Sequence, residues 1–268
     1  LKVELNSHEL GLKTTYRCAS SIVNVARAFV PDFQSAVDAP AGEVIEVENL
    51  AAITRLAQPG DFILSRINAP LAGVCLELLH AGKHAYVKGS DIGRIIKRIL
   101  DKATRDENAP ELSVAALAKA VNKWFDVEKK KLKQDNDANK LKKAILDDQR
   151  ETLIALIEAS KTVREVRETI DRMYSDTPSS DLIMCSTVHR AKGLEADRVF
   201  LLGKTFARFS TEEDNLCYVG TTRARKTLFI VEKPIAKFTA AVSANVDEFG
   251  DVDFSEMDAI ERDSITRR

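Results

Sequence analysis

Three polar segments bring together side chains able to handle a charged ligand. In Thr15-Tyr16-Arg17-Cys18 an aromatic ring stands beside a guanidinium. Such a pair can hold a base by stacking and a phosphate by paired hydrogen bonds, and it equally fits packing plus a surface charge. The stretch from Ser186 to Glu195 carries the hydroxyl of Thr187, the imidazole of His189, the ammonium of Lys192 and the carboxylate of Glu195, with Gly193 free to make a tight backbone turn. His189 alone reads as a structural imidazole, but the company it keeps is more polar than a simple connection needs. The third segment, from Glu212 to Arg225, reads as a helix whose end presents Thr222 and Arg223 just before a strand. An arginine at such a junction can neutralise a transferring phosphoryl group, or it can answer the helix dipole.

The elements that must position these residues alternate. Ile22, Val25, Ala26, Phe29 and Val30 recur at helical spacing, with Ser20 or Ser21 as N-cap and Pro31 as a stop. Short β-rich runs follow at 44–47 and 61–65, then a helix from Pro70 to Gly82, a strand at 84–87, and a helix capped by Ser90-Asp91 with Ile92, Ile95, Ile96, Ile99 and Leu100 on one face. The β pattern disappears between Asp101 and Ser180, where charged helical sequence takes over. It resumes at 182–186, 198–202 and 228–231. This order predicts an α/β fold in which a parallel sheet covered by helices is interrupted by an all-helical insert. From Ala240 onward the composition turns acidic and poor in aromatics, which predicts a loosely ordered tail.

Composition narrows the function classes. The 268 residues are 44% hydrophobic and 30% charged, and no apolar run approaches the roughly 20 residues of a membrane helix. The opening Leu1-Lys2-Val3-Glu4-Leu5 has neither an initiator Met nor a signal pattern, as expected of a stretch excised from a longer chain. Cys18, Cys75, Cys185 and Cys217 lie scattered in apolar surroundings without zinc-site spacing, which predicts reduced, buried thiols in a cytoplasmic protein and no metal site. The net charge of -1 offers no general basic excess, so any contact with nucleic acid must come from a local patch.

Taken in order, the three segments resemble motifs IV, V and VI of the UvrD/Rep family of superfamily 1 DNA helicases. The pattern T-x-H-x-x-K-G-L-E is met by 187–195, L-x-Y-V-G-x-T-R-A by 216–224, and the family's strand ending in R-x-N by Ile63-Leu64-Ser65-Arg66-Ile67-Asn68. The resemblance implies a RecA-like second domain, formed by 1–100 with 181–240. It implies that Tyr16 lies against adenine, that Arg17 and Arg223 reach the terminal phosphate, and that Glu195, with Gly193 nearby, approaches the ribose. Thr187, His189, Arg66 and Asn68 would face single-stranded DNA. Three positions depart from the family pattern: Thr15 replaces an Asn, Cys18 a Ser, and Ala196 an aromatic; these touch no charged or stacking role and leave the local hydrogen bonding open.

A complete helicase also needs G-x-x-x-x-G-K-[ST] to cradle phosphates and acidic residues to hold magnesium, and neither is found in the 268 residues. Gly203-Lys204-Thr205 follows a strand, but Arg198 stands where the first glycine belongs, so this triplet reads as a loop. The resemblance therefore implies ATP with Mg2+ held mainly by an N-terminal RecA-like half, and no ATPase activity for this chain alone. The insert, 101–180, stands where the family places an accessory domain. Its lysines from Lys129 to Lys143, with Trp124 and Phe125, suit either a DNA or protein partner or a solvated helix face over two core aromatics. The tail, 241–268, is a second candidate for a protein partner. The competing reading is a helicase-like, non-catalytic DNA- or protein-binding module.

Overall fold

The computed structural model describes residues 13–105, 112–132, 136–176, 181–206 and 211–232. The acidic stretch at 241–268 lies outside the described residues. Two short strands, β1 (Thr14–Thr15) and β2 (Gln34–Ser35), pair in parallel beside helix α1 (Ser20–Ala26). The main sheet is built from β3 (Glu43–Val47), β4 (Phe62–Ser65), β5 (Ala85–Lys88), β6 (Tyr174–Ser175), β7 (Ile183–Thr187), β8 (Ala196–Leu202) and β9 (Ala224–Val231). Its order is β3-β9-β8-β4-β7-β5-β6, and every pairing in it is parallel. This is the α/β parallel sheet with flanking helices that the alternation predicts, and it is consistent with a RecA-like domain.

Parallel strands covered on both faces need apolar side chains pointing both ways, which is why β8 and β9 read as continuous hydrophobic runs. Phe200 and Leu202 of β8 and Phe229 and Val231 of β9 enter one apolar cluster. Val199, Leu201, Leu228 and Ile230, one residue out of phase, enter the other. The cluster on the first face takes in α2 (Ala51–Leu56), α3 (Ala69–His80), α4 (Ser90–Ala103) and α7 (Val163–Met173), together with α5 (Val114–Lys131) and α6 (Asp137–Glu158), which pack against these helices. The second is covered by α1 and α8 (Thr211–Thr221).

The helices of the 101–180 stretch share the first cluster with the sheet. Leu117 and Val121 of α5, Leu153 and Leu156 of α6, and Val166 and Ile170 of α7 pack into the same core as Val87, Cys185 and Phe200. The stretch also ends in the short strand β6, paired with β5. Phe125 is wholly buried and Trp124 packs edge-on against it, so of the two readings of these aromatics the structure has the core one. All four cysteines are free and buried.

Several local expectations are corrected. Helix α1 stops at Ala26, five residues before Pro31, and its N-cap is Ala19, with no side-chain cap. Ser20 is already helical, and its hydroxyl donates to the carbonyls of Pro40 and Ala41. Helix α4 starts after Gly89, whose φ of 129° suits a residue without a Cβ, and the acceptor for the Ser90 N–H is Asp176 rather than a local side chain. Gly203–Phe206 forms a short 3-10 turn instead of a loop.

Candidate functional site

The predicted residues separate onto two edges of the main sheet. At the edge where the strands begin, Arg17, Glu195 and Arg223 converge. The Ala19 N–H donates to the Arg225 carbonyl at 3.0 Å, and the Ala196 N–H donates to the Arg223 carbonyl at 3.0 Å, which draws the start of α1, the end of the 188–195 loop and the entry to β9 together. Arg17 forms an ion pair with Glu195 through Nε and Oε2, and Arg225 approaches the other carboxylate oxygen at 3.5 Å. Tyr16 stands clear of the fold, its residue 88% exposed.

Arg223 is held very differently from Arg17. It is buried, its Nε donates to the Val219 carbonyl at 2.9 Å, and its Nη1 donates to the Leu194 carbonyl at 3.0 Å. The first bond satisfies a carbonyl in the last turn of α8, and the second ties that helix to the residue before Glu195. Burial, and then the nearby charge of Arg17, pull the Arg223 pKa below its ordinary value. Two cations this close, one of them desolvated, favour an anion between them. A ring free to stack, two guanidiniums and a carboxylate suit a nucleotide phosphate and its sugar. Among the described residues no group of three or more His, Cys, Asp or Glu gathers as a metal site.

Two of the three departures from the family pattern find replacement bonds here. Thr15 Oγ1 accepts from the Arg17 N–H at 3.2 Å, and the Cys18 thiol donates to the Thr222 carbonyl at 3.6 Å. Burial pushes the Cys18 pKa up and keeps it a thiol beside the arginines.

At the opposite edge, where the strands finish, Arg66, Asn68, Thr187 and His189 line one open cavity of about 420 Å³. Ile92 and Ile95 of α4 and Leu141 and Ile145 of α6 supply an apolar wall. Arg66 and Asn68 are not idle. The Arg66 guanidinium pairs with Glu213 at 2.7 Å and lies 3.6 Å from Glu212. Asp148 of α6 accepts from the Asn68 side-chain amide at 2.8 Å and from the backbone N–H of Asn68 and Ala69, so it caps α3 from eighty residues away. The side-chain amide oxygen of Asn68 is buried without a partner.

The loop from Val188 to Glu195 therefore crosses the sheet from its finishing edge to its starting edge. Gly193 has φ of 87°, and a Cβ there would meet nothing within 4 Å, so it is the backbone turn, not crowding, that calls for glycine. Sequence reasoning passed over Arg190, which forms a two-pronged pair with Asp91 at 2.9 and 2.5 Å and clasps the loop to the first turn of α4. It passed over Glu213 and Asp148 as well. The only signal for any of them is an unexplained charge beside an assigned residue, which does not name its partner.

The UvrD-like helicase C-terminal domain family matches residues 88–233. Among solved structures, the C-terminal domain of a possible DNA helicase from Lactobacillus plantarum WCFS1 is similar at 11% identity and a TM-score of 0.38, over 84% of this chain and 92% of that one. No curated protein matches.

Proposed function

This chain belongs to the UvrD-like helicase C-terminal domain family, and from that premise we propose that it is the C-terminal half of an ATP-dependent DNA helicase or translocase. In this reading Arg17 and Arg223 meet the terminal phosphates of ATP, Tyr16 stacks on the base, and Glu195, close to Gly193, meets the ribose. The P-loop half of the parent protein grips ATP and its magnesium. Single-stranded DNA runs past Thr187, His189, Arg66 and Asn68.

The observation that carries the reading is the separation of the two groups onto opposite edges of one sheet, joined by the nine residues 187–195. That arrangement suits a domain that must report nucleotide state to DNA. Arg17 is paired with Glu195. A phosphate carries more charge than one carboxylate, so Arg17 would exchange Glu195 for it and leave the carboxylate free to accept from ribose hydroxyls. Hydrolysis itself needs groups that this sequence lacks, since no G-x-x-x-x-G-K-[ST] is present. The test is ATP turnover by the purified chain alone and together with the P-loop half. The proposal expects none above background from the chain alone and DNA-stimulated turnover from the pair. Turnover by the chain alone that disappears in Arg223→Ala contradicts it.

A further inference from the structure

Helix α8 connects the same two edges. It starts at the finishing edge, where Glu213 holds Arg66, and Arg223 stands two residues past its end at the starting edge. Its 11 residues span about 16 Å at 1.5 Å per residue. The helix is seated without slack, because Leu216, Cys217 and Thr221 are buried and a Cβ on Gly220 would lie 2.9 Å from Leu201 Cδ1 and 3.2 Å from Val188 Cγ2. Val188 directly follows Thr187 and is itself fully buried. A displacement of α8 must therefore be shared with the crossing loop.

The energetics sit at Glu213. It is only 5% exposed, and a carboxylate that far from water depends on its cation. Arg66 is one of the four residues that the proposed function sets along single-stranded DNA, so the same guanidinium would have two claimants. Glu212, Glu213 and Asp214 all lie in the first turn of α8, where the helix dipole favours them but an arriving phosphate repels them.

We propose that Glu213 is a positioning residue: it retains Arg66 until a phosphate of single-stranded DNA takes the guanidinium, and the loss of that partner resets α8 and, through it, Arg223. The inference rests on the reading of Arg66 as a DNA contact. It makes DNA occupancy at one edge a determinant of arginine geometry at the other.

The test is amide hydrogen exchange of the full chain, with and without a 20-residue oligothymidine at low salt, paired with the affinity for that oligonucleotide. In the parent chain the oligonucleotide changes exchange across 216–225 by about fivefold or more. Glu213→Gln removes the nearer of the two carboxylate charges on Arg66, leaving Glu212 at 3.6 Å, so it binds the oligonucleotide about threefold more tightly, yet its 216–225 segment no longer responds. Glu213→Asp keeps the charge and retains the response, which guards against a Gln variant that fails to fold. A Glu213→Gln chain that binds and responds as the parent does overturns the proposal, and so does a Glu213→Asp chain that has lost the response. Unchanged affinity in Arg66→Ala would instead overturn the DNA reading beneath it.

Discussion

Replacing Arg223 by lysine separates its charge from its fork. The guanidinium bridges the Val219 carbonyl at 2.9 Å and the Leu194 carbonyl at 3.0 Å from two different nitrogens, and the residue is only 8% exposed. A lysine ammonium reaches at most one of these carbonyls, leaving the other without its donor. A hydrogen bond from a charged donor contributes about 1.5–3 kcal/mol, so the loss of one, in a site with little access for water, costs about 2 kcal/mol. For a domain of this size that corresponds to a fall in Tm of about 4–8 °C. The measurement is thermal and urea unfolding of Arg223→Lys followed by far-ultraviolet circular dichroism, with exchange at 194–196 as the local readout. An unfolding free energy within about 0.5 kcal/mol of the parent would refute the claim that this arginine holds α8 to the crossing loop, and would leave it as an arm with no structural duty.

Three other substitutions separate roles that the geometry keeps apart. Tyr16→Ala removes an exposed ring, so stability stays within about 0.5 kcal/mol, while the affinity for ATP of the two-half protein falls about tenfold, as read by equilibrium binding. Asp148→Ala removes the acceptor for the first N–H groups of α3 and lowers unfolding free energy by about 2 kcal/mol in urea titration. Asp91→Asn breaks the clasp with Arg190; the pair is partly exposed, so screening holds its worth to under about 1 kcal/mol. Hydrogen bonds from Arg190 hold the Asp91 carboxyl below its ordinary value. Its contribution is thus complete above that ordinary value and is lost as pH falls through the depressed one. The gap in Tm between parent and Asp91→Asn should accordingly persist from neutral pH to the bottom of the usual carboxylate range and close below it.

The sheet was legible because burial on both faces forces apolar residues into consecutive positions. Ile183-Met184-Cys185 and Val199-Phe200-Leu201-Leu202 admit few other readings, and the strands they predict appear in β7 and β8. Strands β1, β2 and β6 have two residues each, too few for any period to show. Helix ends were harder to read. Ser90 and Ser20 look like caps by type, but the groups that satisfy these turns come from remote positions such as Asp176, and remoteness leaves no local trace. The same limit governed the candidate site. Its arginines could be named from the motifs they resemble, whereas the ion pairs that occupy them, Arg17 with Glu195 and Arg66 with Glu213, depend on contacts across 178 and 147 positions (195 − 17 and 213 − 66) that only the fold creates. That Glu195 and Arg223 sit where strands begin, and not where they finish, also follows from the path of 188–195 across the sheet rather than from any residue type.

In the proposed function the Arg17 edge serves the nucleotide and the opposite edge serves DNA. Its most direct test is steady-state ATP turnover by Arg17→Ala in the protein carrying both halves, at saturating single-stranded DNA, with the affinity for DNA measured on the same sample. Loss of an arginine that stabilises phosphoryl transfer predicts turnover reduced by about a thousandfold with DNA affinity within about twofold of the parent. Turnover equal to that of the parent, or a loss of DNA binding as large as the loss of turnover, would contradict it.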